Sequence, residues 1–278
     1  MTLFLGRGRA ECGWRTYFCH DHALDAEVPF ETEIYGLGLG FSTKQKSIQR
    51  VIDKLLLDRE VLVANLVTSA SNITNNKNLA AGGSVYPWDD YTAGHSHPIV
   101  DVDNARSVIR QSGVEANWMI ISEATYVALR NHPDIIDRYK YRVGGPVTLS
   151  ELSEVFGVPV TVASAVVLDK NNVGSWVWGA NALLGFTQAA PGMEDVSCLK
   201  TFVWTAAPGG RAPDGSAFPS TDGYSVLEWP DAHLSTKKDW ASGSWYYDIR
   251  VTAPETAYLF YGTCTPAAFG SITAPTGE

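Results

Sequence analysis

The stretch WDDYTAGHSHPIVDVDNARSVIRQSGVEANWMIISEATYVALRNHPDI, Trp88 to Ile135, decides how this chain is read. It is dense in aromatic, acidic and histidine side chains, the raw material of an active site. Its spacing points elsewhere. Asp101 reads as the cap of a helix over VDNARSVIRQS, which buries Val102, Ala105, Val108 and Ile109 and stops at Gly113. NWMIIS follows as a short buried strand. Ser122, with Glu123 and Ala124 after it, opens a second helix that must end near His132, because Pro133 disfavours helical geometry in the residue before it. Pro87 and Trp88 anchor a turn. The polar groups thus fall at caps and surfaces, and the stretch reads as architecture.

Upstream, STKQKSIQRVIDKLLLDREVLVANLVTSA places Ile48, Val51, Ile52, Leu55, Leu62 and Leu66 at three- and four-residue steps, an amphipathic stripe. Ser42 followed by Gln45 has capping-box spacing. From 43 to 68 this helix extends about 38 Å at 1.5 Å per residue. Asn, Gly and Pro punctuate NITNNKNLAAGGSVYPWDDYTAGHSHP and mark it as a loop. Residues 1–43 mix glycine, charge and isolated aromatics, which suits an extended arm or two-stranded loop that orders on a partner surface.

Downstream, VTLSELSEVFGVPVTVASAVV repeats the helix-to-strand logic. Thr148 and Glu151 form a capping box, Leu149, Leu152 and Phe156 face inward, Gly157 ends the helix, and a β-branched strand follows. From 173 the pattern is strands and loops: SWVWGANALLGFTQ, LKTFVWTA and SWYYDIRVTAPETAYLFYG. APGGRAPDGSAFPSTDG reads as a Gly/Pro-rich loop and PAAFGSITAPTGE as a disordered tail. The fold class is α+β.

Composition narrows the function. At 278 residues and 45% apolar the chain can bury a sizeable core. Its charged fraction of 18% is low, and nine tryptophans are many, so much of the surface suits contact with copies of itself. The net charge of −9 carries no basic face for dedicated nucleic-acid binding. Four scattered cysteines argue against a disulfide-stapled secreted domain. MTLFL is too short for a signal core, and no apolar run approaches a membrane span. A soluble protein is expected.

Cys12, Cys19, His20 and His22 are zinc-ligand types without a CxxC or other standard spacing. His95 and His97, near Asp89, Asp90, Asp101 and Asp103, could form a metal or acid/base cluster, but Asp101 reads as a cap and Pro98 makes the run a turn. Neither Cys198 nor Cys264 lies in a nucleophile motif, and no GxSxG occurs. GLGLG at 36–40 and GRGRAECG lack phosphate-loop spacing. Lys237 and Lys238 read as a solvated edge. No residue is assigned a catalytic, cofactor-binding or metal role, and no cofactor is expected.

The order of these signals is the most specific feature. The long helix with LLLDREVLVANL, then WDDYTAGHSHPIVDVDNARSVI, GVEANWMIISEATYVALRNHPDIIDRYKY, VTLSELSEVFGVPVTVASAVV and VWGANALLGF, resembles the major capsid protein of tailed bacteriophages, the Hong Kong 97-type coat fold. The resemblance covers roughly 42–187, and WYYDIRVTAPETAYLF matches the closing strand pair. It implies an N-terminal arm and extended loop in 1–43, a peripheral domain with the spine helix in 44–100, an axial domain in 101–222, return strands in 223–262 and a tail in 263–278. The N-terminal region is short for a full arm plus loop, and no residue pair matches a covalent cross-linking motif. The implied function is self-assembly into pentamers and hexamers of an icosahedral or prolate head around double-stranded DNA, held by non-specific contact only. The implied partners are the chain itself, a portal protein, a scaffold and cement or decoration proteins, with no membrane. The implied location is the virion, assembled in the host cytoplasm. Within the same fold, an encapsulin-like compartment shell is the alternative. From other classes, a zinc-dependent hydrolase would use the His/Cys/Asp clusters, and a decoration or tail protein would show more β content and no spine helix.

Overall fold

The computed structural model describes residues 17–38, 40, 42–139, 141, 147–168, 170, 173–189, 192, 195–204, 224–230, 238–265 and 272–273. In chain order the first elements are β1 (His20–Pro29), α1 (Phe30–Gly38), α2 (Thr43–Val67), β2 (Asn75–Asn78), α3 (Pro98–Gln111), β3 (Trp118–Ser122), α4 (Glu123–Arg130), α5 (Pro133–Tyr139) and α6 (Leu149–Phe156). Strands follow: β4 (Val160–Ala163), β5 (Val166–Leu168), β6 (Val173–Trp176), β7 (Asn181–Gly185), β8 (Leu199–Val203), β9 (Tyr224–Pro230), β10 (Lys238–Val251), β11 (Ala257–Tyr261) and β12 (Ile272–Thr273). The described chain forms two compact units, one from 63–200 and 251–273, the other from 17–62 and 201–250.

The first unit is organised by a sheet in the order β2-β11-β7-β3-β4. β3 pairs antiparallel with β7 and parallel with β4, which is why a short run such as WMIIS can be apolar on both faces. Alternation sends Met119 and Ile121 to one side, level with Leu184 and Ala182 of β7. There they join Trp88, Val102, Ala105, Ile109, Leu129, Ile135, Leu152, Phe156 and Phe260 in the main core, roofed by α3 to α6. On the opposite face Trp118, Ile120, Leu183 and Leu259 pack with Ala64, Val67, Ile73, Trp178 and Cys198. The two cores share one sheet, drawn from segments on both sides of the expected boundary at 100/101. Glycine is required at 185, opposite Trp118, because an added Cβ would stand 2.6 Å from the indole ring.

Local chemistry sets the helix ends. Thr148 Oγ1 accepts the Glu151 N–H at 3.4 Å and the Glu151 carboxylate accepts the Thr148 N–H at 2.8 Å, a complete capping box for α6. Gly157 closes that helix at φ +65°. Thr148→Ala should therefore lower the unfolding free energy by about 1 kcal/mol, with Thr148→Ser losing much less, as measured by urea titration. Ser122 Oγ accepts the Thr125 N–H at 3.2 Å and caps α4. That helix ends at Arg130 as expected, but Pro133 then opens α5, an element the sequence reading lacked. Proline both stops the helix before it and suits the first position of the next.

The cap of α3 is a correction. The helix begins at Pro98, not after Asp101, and His97 occupies the cap position without its side chain bonding to the first turn of the helix. Proline at the first helical position needs no partner for its nitrogen, and its backbone angle is already helical. Asp101 lies one turn in, where its carboxylate takes the Lys77 ammonium at 2.5 Å and the Trp88 indole N–H at 3.1 Å. It ties the loop to the helix instead of capping it.

The spine helix α2 runs 25 residues, as periodicity predicts, but it buries two faces instead of one stripe. Val51 and Leu55 are buried in its first part, Ala64 and Val67 near its end, and Leu62 is 39% exposed. At about 100° per residue the two pairs lie on roughly opposite sides of the helix. Its start is also shared: Ser42 Oγ accepts the Gln45 N–H at 3.4 Å, while the second acceptor is Glu33, which takes the Lys44 N–H at 3.0 Å.

In the second unit, the described part of 1–43, expected as an extended arm or two-stranded loop, pairs with a strand of its own chain. β1 pairs antiparallel with β10 over ten residues, from His20 opposite Tyr247 to Pro29 opposite Lys238. β9 and β8 lie against β10 as well. Val28, Ala241, Trp245 and Tyr247 are buried, and α1 follows β1 directly. In the first unit, Ile272 and Thr273 of the tail, read as disordered, pair with β6. The Gly/Pro-rich loop 207–223 and residues 1–16 lie outside the described residues.

Candidate functional site

The turn after Trp88 holds most of the candidate acid/base residues, and each has its own partner. The Asp90 carboxylate takes the Thr92 N–H at 3.0 Å and lies 2.9 Å from His95 Nδ1. Hydrogen bonds from His95 and Thr92 hold its pKa down to about 2. The His95 ring stacks on Tyr86 at 4.0 Å, whereas His97 pairs with Asp134 at 2.9 Å. Asp89 accepts both the backbone N–H of Thr265, at 2.7 Å, and its hydroxyl. Asp103 lies exposed beside Arg106. The side chains that sequence proximity grouped therefore diverge, and the stretch acts as a set of ties between loop, helices and the chain near 265.

The zinc-type residues are equally dispersed. Cys12 lies outside the described residues. Cys19 Sγ approaches the Phe202 carbonyl at 3.5 Å, His20 meets the Phe18 ring edge-on, and His22 stacks on Tyr247 at 4.1 Å beside Asp58. Among the described residues no group of three or more His, Cys, Asp or Glu could hold a metal ion. Burial, with Glu255 adding to it, pushes the Cys198 thiol up to about 12, and burial raises Cys264 too, so both stay protonated and unreactive. Gly36 and Gly38 lie inside α1 near its C-terminus, the wrong end of a helix for an anion. Lys238 is not merely solvated: it pairs with Glu27 at 2.6 Å and sits over the Trp240 ring at 4.6 Å. Lys237 lies outside the described residues.

Both units also expose apolar surface among their described residues. In the second unit, α1 exposes Phe30, Ile34, Tyr35 and Leu37, with Ile34 at 69% and Leu37 at 62%. FETEIYGLG carries these apolar residues, but it falls inside the segment expected as an extended arm or two-stranded loop, not a helix. In the first unit, an open groove of about 280 Å³ is lined by Val63, Val67, Trp118, Ile120, Trp178 and Leu199. No described helix is long and apolar enough to cross a membrane.

No family model matches the chain. Over 150 residues it is 30% identical to the major capsid protein of Burkholderia phage BcepMu, covering 52% of this chain and 47% of that protein. The chain thus spans about half the length of the curated relative it matches. A phage-related protein from Bordetella bronchiseptica superposes with a TM-score of 0.69 at 23% identity, over 89% of this chain and 77% of the other. The capsid structure of cyanophage P-SCSP1u gives 0.55 at 11% identity, over 88% and 72%. The encapsulin complex of Synechococcus elongatus gives 0.53 at 12%, over 88% and 74%. With a sheet roofed by helices, a long spine helix and no convergent polar site among its described residues, this chain carries the α+β fold shared by phage capsid proteins and related protein shells.

Proposed function

We propose that this protein is the major capsid subunit of a bacteriophage head, self-assembling into pentamers and hexamers that close around double-stranded DNA. The observation that carries the reading is the fold match over nearly the whole chain, joined to 30% identity with a phage major capsid protein across half of it. The role is structural: its free energy comes from burial between copies, not from turnover. Each contact is modest so that errors can dissociate, and repetition around a closed ring supplies strength. The exposed apolar face of α1 belongs to the segment assigned to the extended loop and lies on a neighbouring copy. Residues 44–100 and 223–262 serve as the peripheral domain, 101–222 as the axial domain and 263–278 as the tail. A net charge of −9 suits a wall that confines DNA without gripping it. Portal, scaffold and cement proteins complete the set of partners, and the virion is the location.

Electron microscopy and sedimentation of the chain expressed with its assembly partners provide the test. Closed shells with five- and six-fold clusters are expected, and a protein that stays monomeric under those conditions overturns the proposal. Particle contents separate a phage head from an encapsulin-type compartment: nucleic acid at high density for the first, a protein cargo for the second.

A further inference from the structure

One buried imidazole links the turn after Trp88 to the helices beneath it. His132, 1% exposed, sits between α4 and α5. The Asp134 backbone N–H donates to its Nδ1 at 3.2 Å, so the neutral ring carries its proton on Nε2. Nε2 donates to Ser96 Oγ at 2.7 Å, and the Ser96 hydroxyl donates onward to the Asp90 carbonyl at 2.8 Å. All the hydrogens in this chain point one way, from Asp134 through the ring and Ser96 to Asp90. A second proton on the ring has only Nδ1 to occupy, where it meets the Asp134 amide hydrogen head-on.

The groups facing the ring come from every neighbouring element. From α5 comes Asp134, whose carboxylate is engaged by His97 at 2.9 Å, and from the cap of α3 comes His97 itself. From the turn, Tyr91 presents its ring near 5.9 Å and donates its hydroxyl to Ala128 of α4 at 3.1 Å. Burial chiefly holds the His132 pKa below its ordinary value; Asp134 pulls upward and His97 adds to the downward pull. The turn in question also grips the chain after β11. The Trp88 N–H donates to the Thr263 carbonyl at 2.8 Å, and Asp89 holds the Thr265 amide and hydroxyl.

We propose that His132 is a proton-operated latch: a proton on Nδ1 meets the Asp134 amide hydrogen and drives the ring out of its seat, and the departing ring withdraws its Nε2–H from Ser96 and frees the turn 89–97 together with Thr265. This inference does not depend on the shell reading. Its sign follows from linkage. The closed state favours the neutral ring, so its stability is complete above the open-state pKa near 6.5 and is lost as pH falls towards the closed-state value. Opening therefore rises by up to about tenfold per pH unit below about 6.5.

Hydrogen exchange by mass spectrometry on the full chain, corrected for intrinsic exchange rates, reads this directly. Between pH 6.5 and 5.5, peptides covering 88–97 and 262–265 should open up to about fivefold more, while 118–122 in β3 stays unchanged. His132→Gln, which cannot take up a proton, should abolish the pH dependence in both peptides. A wild-type chain whose exchange is flat over this range, or a pH dependence that persists in His132→Gln, overturns the latch. Should that variant not fold, histidine NMR of the wild type decides instead. The His132 titration must coincide with opening of the turn; coincidence with His95 or His97 alone refutes the proposal.

Discussion

Ile34→Asp combined with Leu37→Asp will leave the subunit folded and abolish the proposed shells. Both side chains are more than half exposed in the isolated chain, and surface changes of this kind usually move stability by no more than about 0.5 kcal/mol. In the proposed shell the same positions become buried on a neighbouring copy. Each loses about 1.5–3 kcal/mol of apolar burial, and a carboxylate forced into an apolar contact costs several kcal/mol more. A total above about 4 kcal/mol is roughly a thousandfold in each contact, and a ring of five or six contacts compounds it. Sedimentation and electron microscopy should show only small species, while urea titration matches the wild type. Shells at wild-type yield would mean that α1 stays in solvent after assembly, and the assignment of this helix to the intersubunit contact would be wrong.

Trp88→Ala has the largest expected effect on the subunit itself. Trp88 is fully buried, packs against Phe260 at 5.1 Å between ring centres and donates its indole N–H to Asp101. Removing the ring leaves a cavity in the main core and costs about 3–5 kcal/mol. A typical domain has only about 5–15 kcal/mol in total. Trp88→Phe keeps much of the volume but loses the bond to Asp101, and should cost about 1–2 kcal/mol. Circular dichroism in urea distinguishes them. A loss below about 1 kcal/mol for Trp88→Ala would show that backbone bonds such as Trp88 N–H to Thr263 hold the loop without the ring.

The parts of the fold that were legible in the sequence are those set by local chemistry. The capping box at Thr148–Glu151, the cap at Ser122 and the short buried strand in NWMIIS each need only a few adjacent residues, and each stands where it was read. Errors arose where a distant partner decides. Asp101 looks like a cap until Lys77 and Trp88 claim its carboxylate and Pro98 starts the helix earlier. Leu62 continues a stripe in sequence but is exposed, because α2 changes its buried side between Leu55 and Ala64. His20–Pro29 is acidic, and its strand character comes from β10, more than two hundred residues away. For the candidate site, the histidines and aspartates of Trp88–Ile135 take separate partners in the turn, in the helices and near Thr265. Their division into separate pairs, and the one-way chain through His132, depend on α5, which the sequence reading did not contain.

The partnership of β1 with β10 bears on how the chain comes into being. During synthesis at about 5–20 residues per second, His20 emerges roughly ten to forty seconds before Tyr247, its opposite number, exists. Throughout that interval a ten-residue strand former waits without its mate, a hazard for sticking to other nascent chains. Asp21, Asp25 and Glu27 stud that strand with negative charge at alternate positions, and like charges repel a second copy laid alongside. The acidity of this segment thus guards the unfinished polypeptide from premature association until its own C-terminal third arrives.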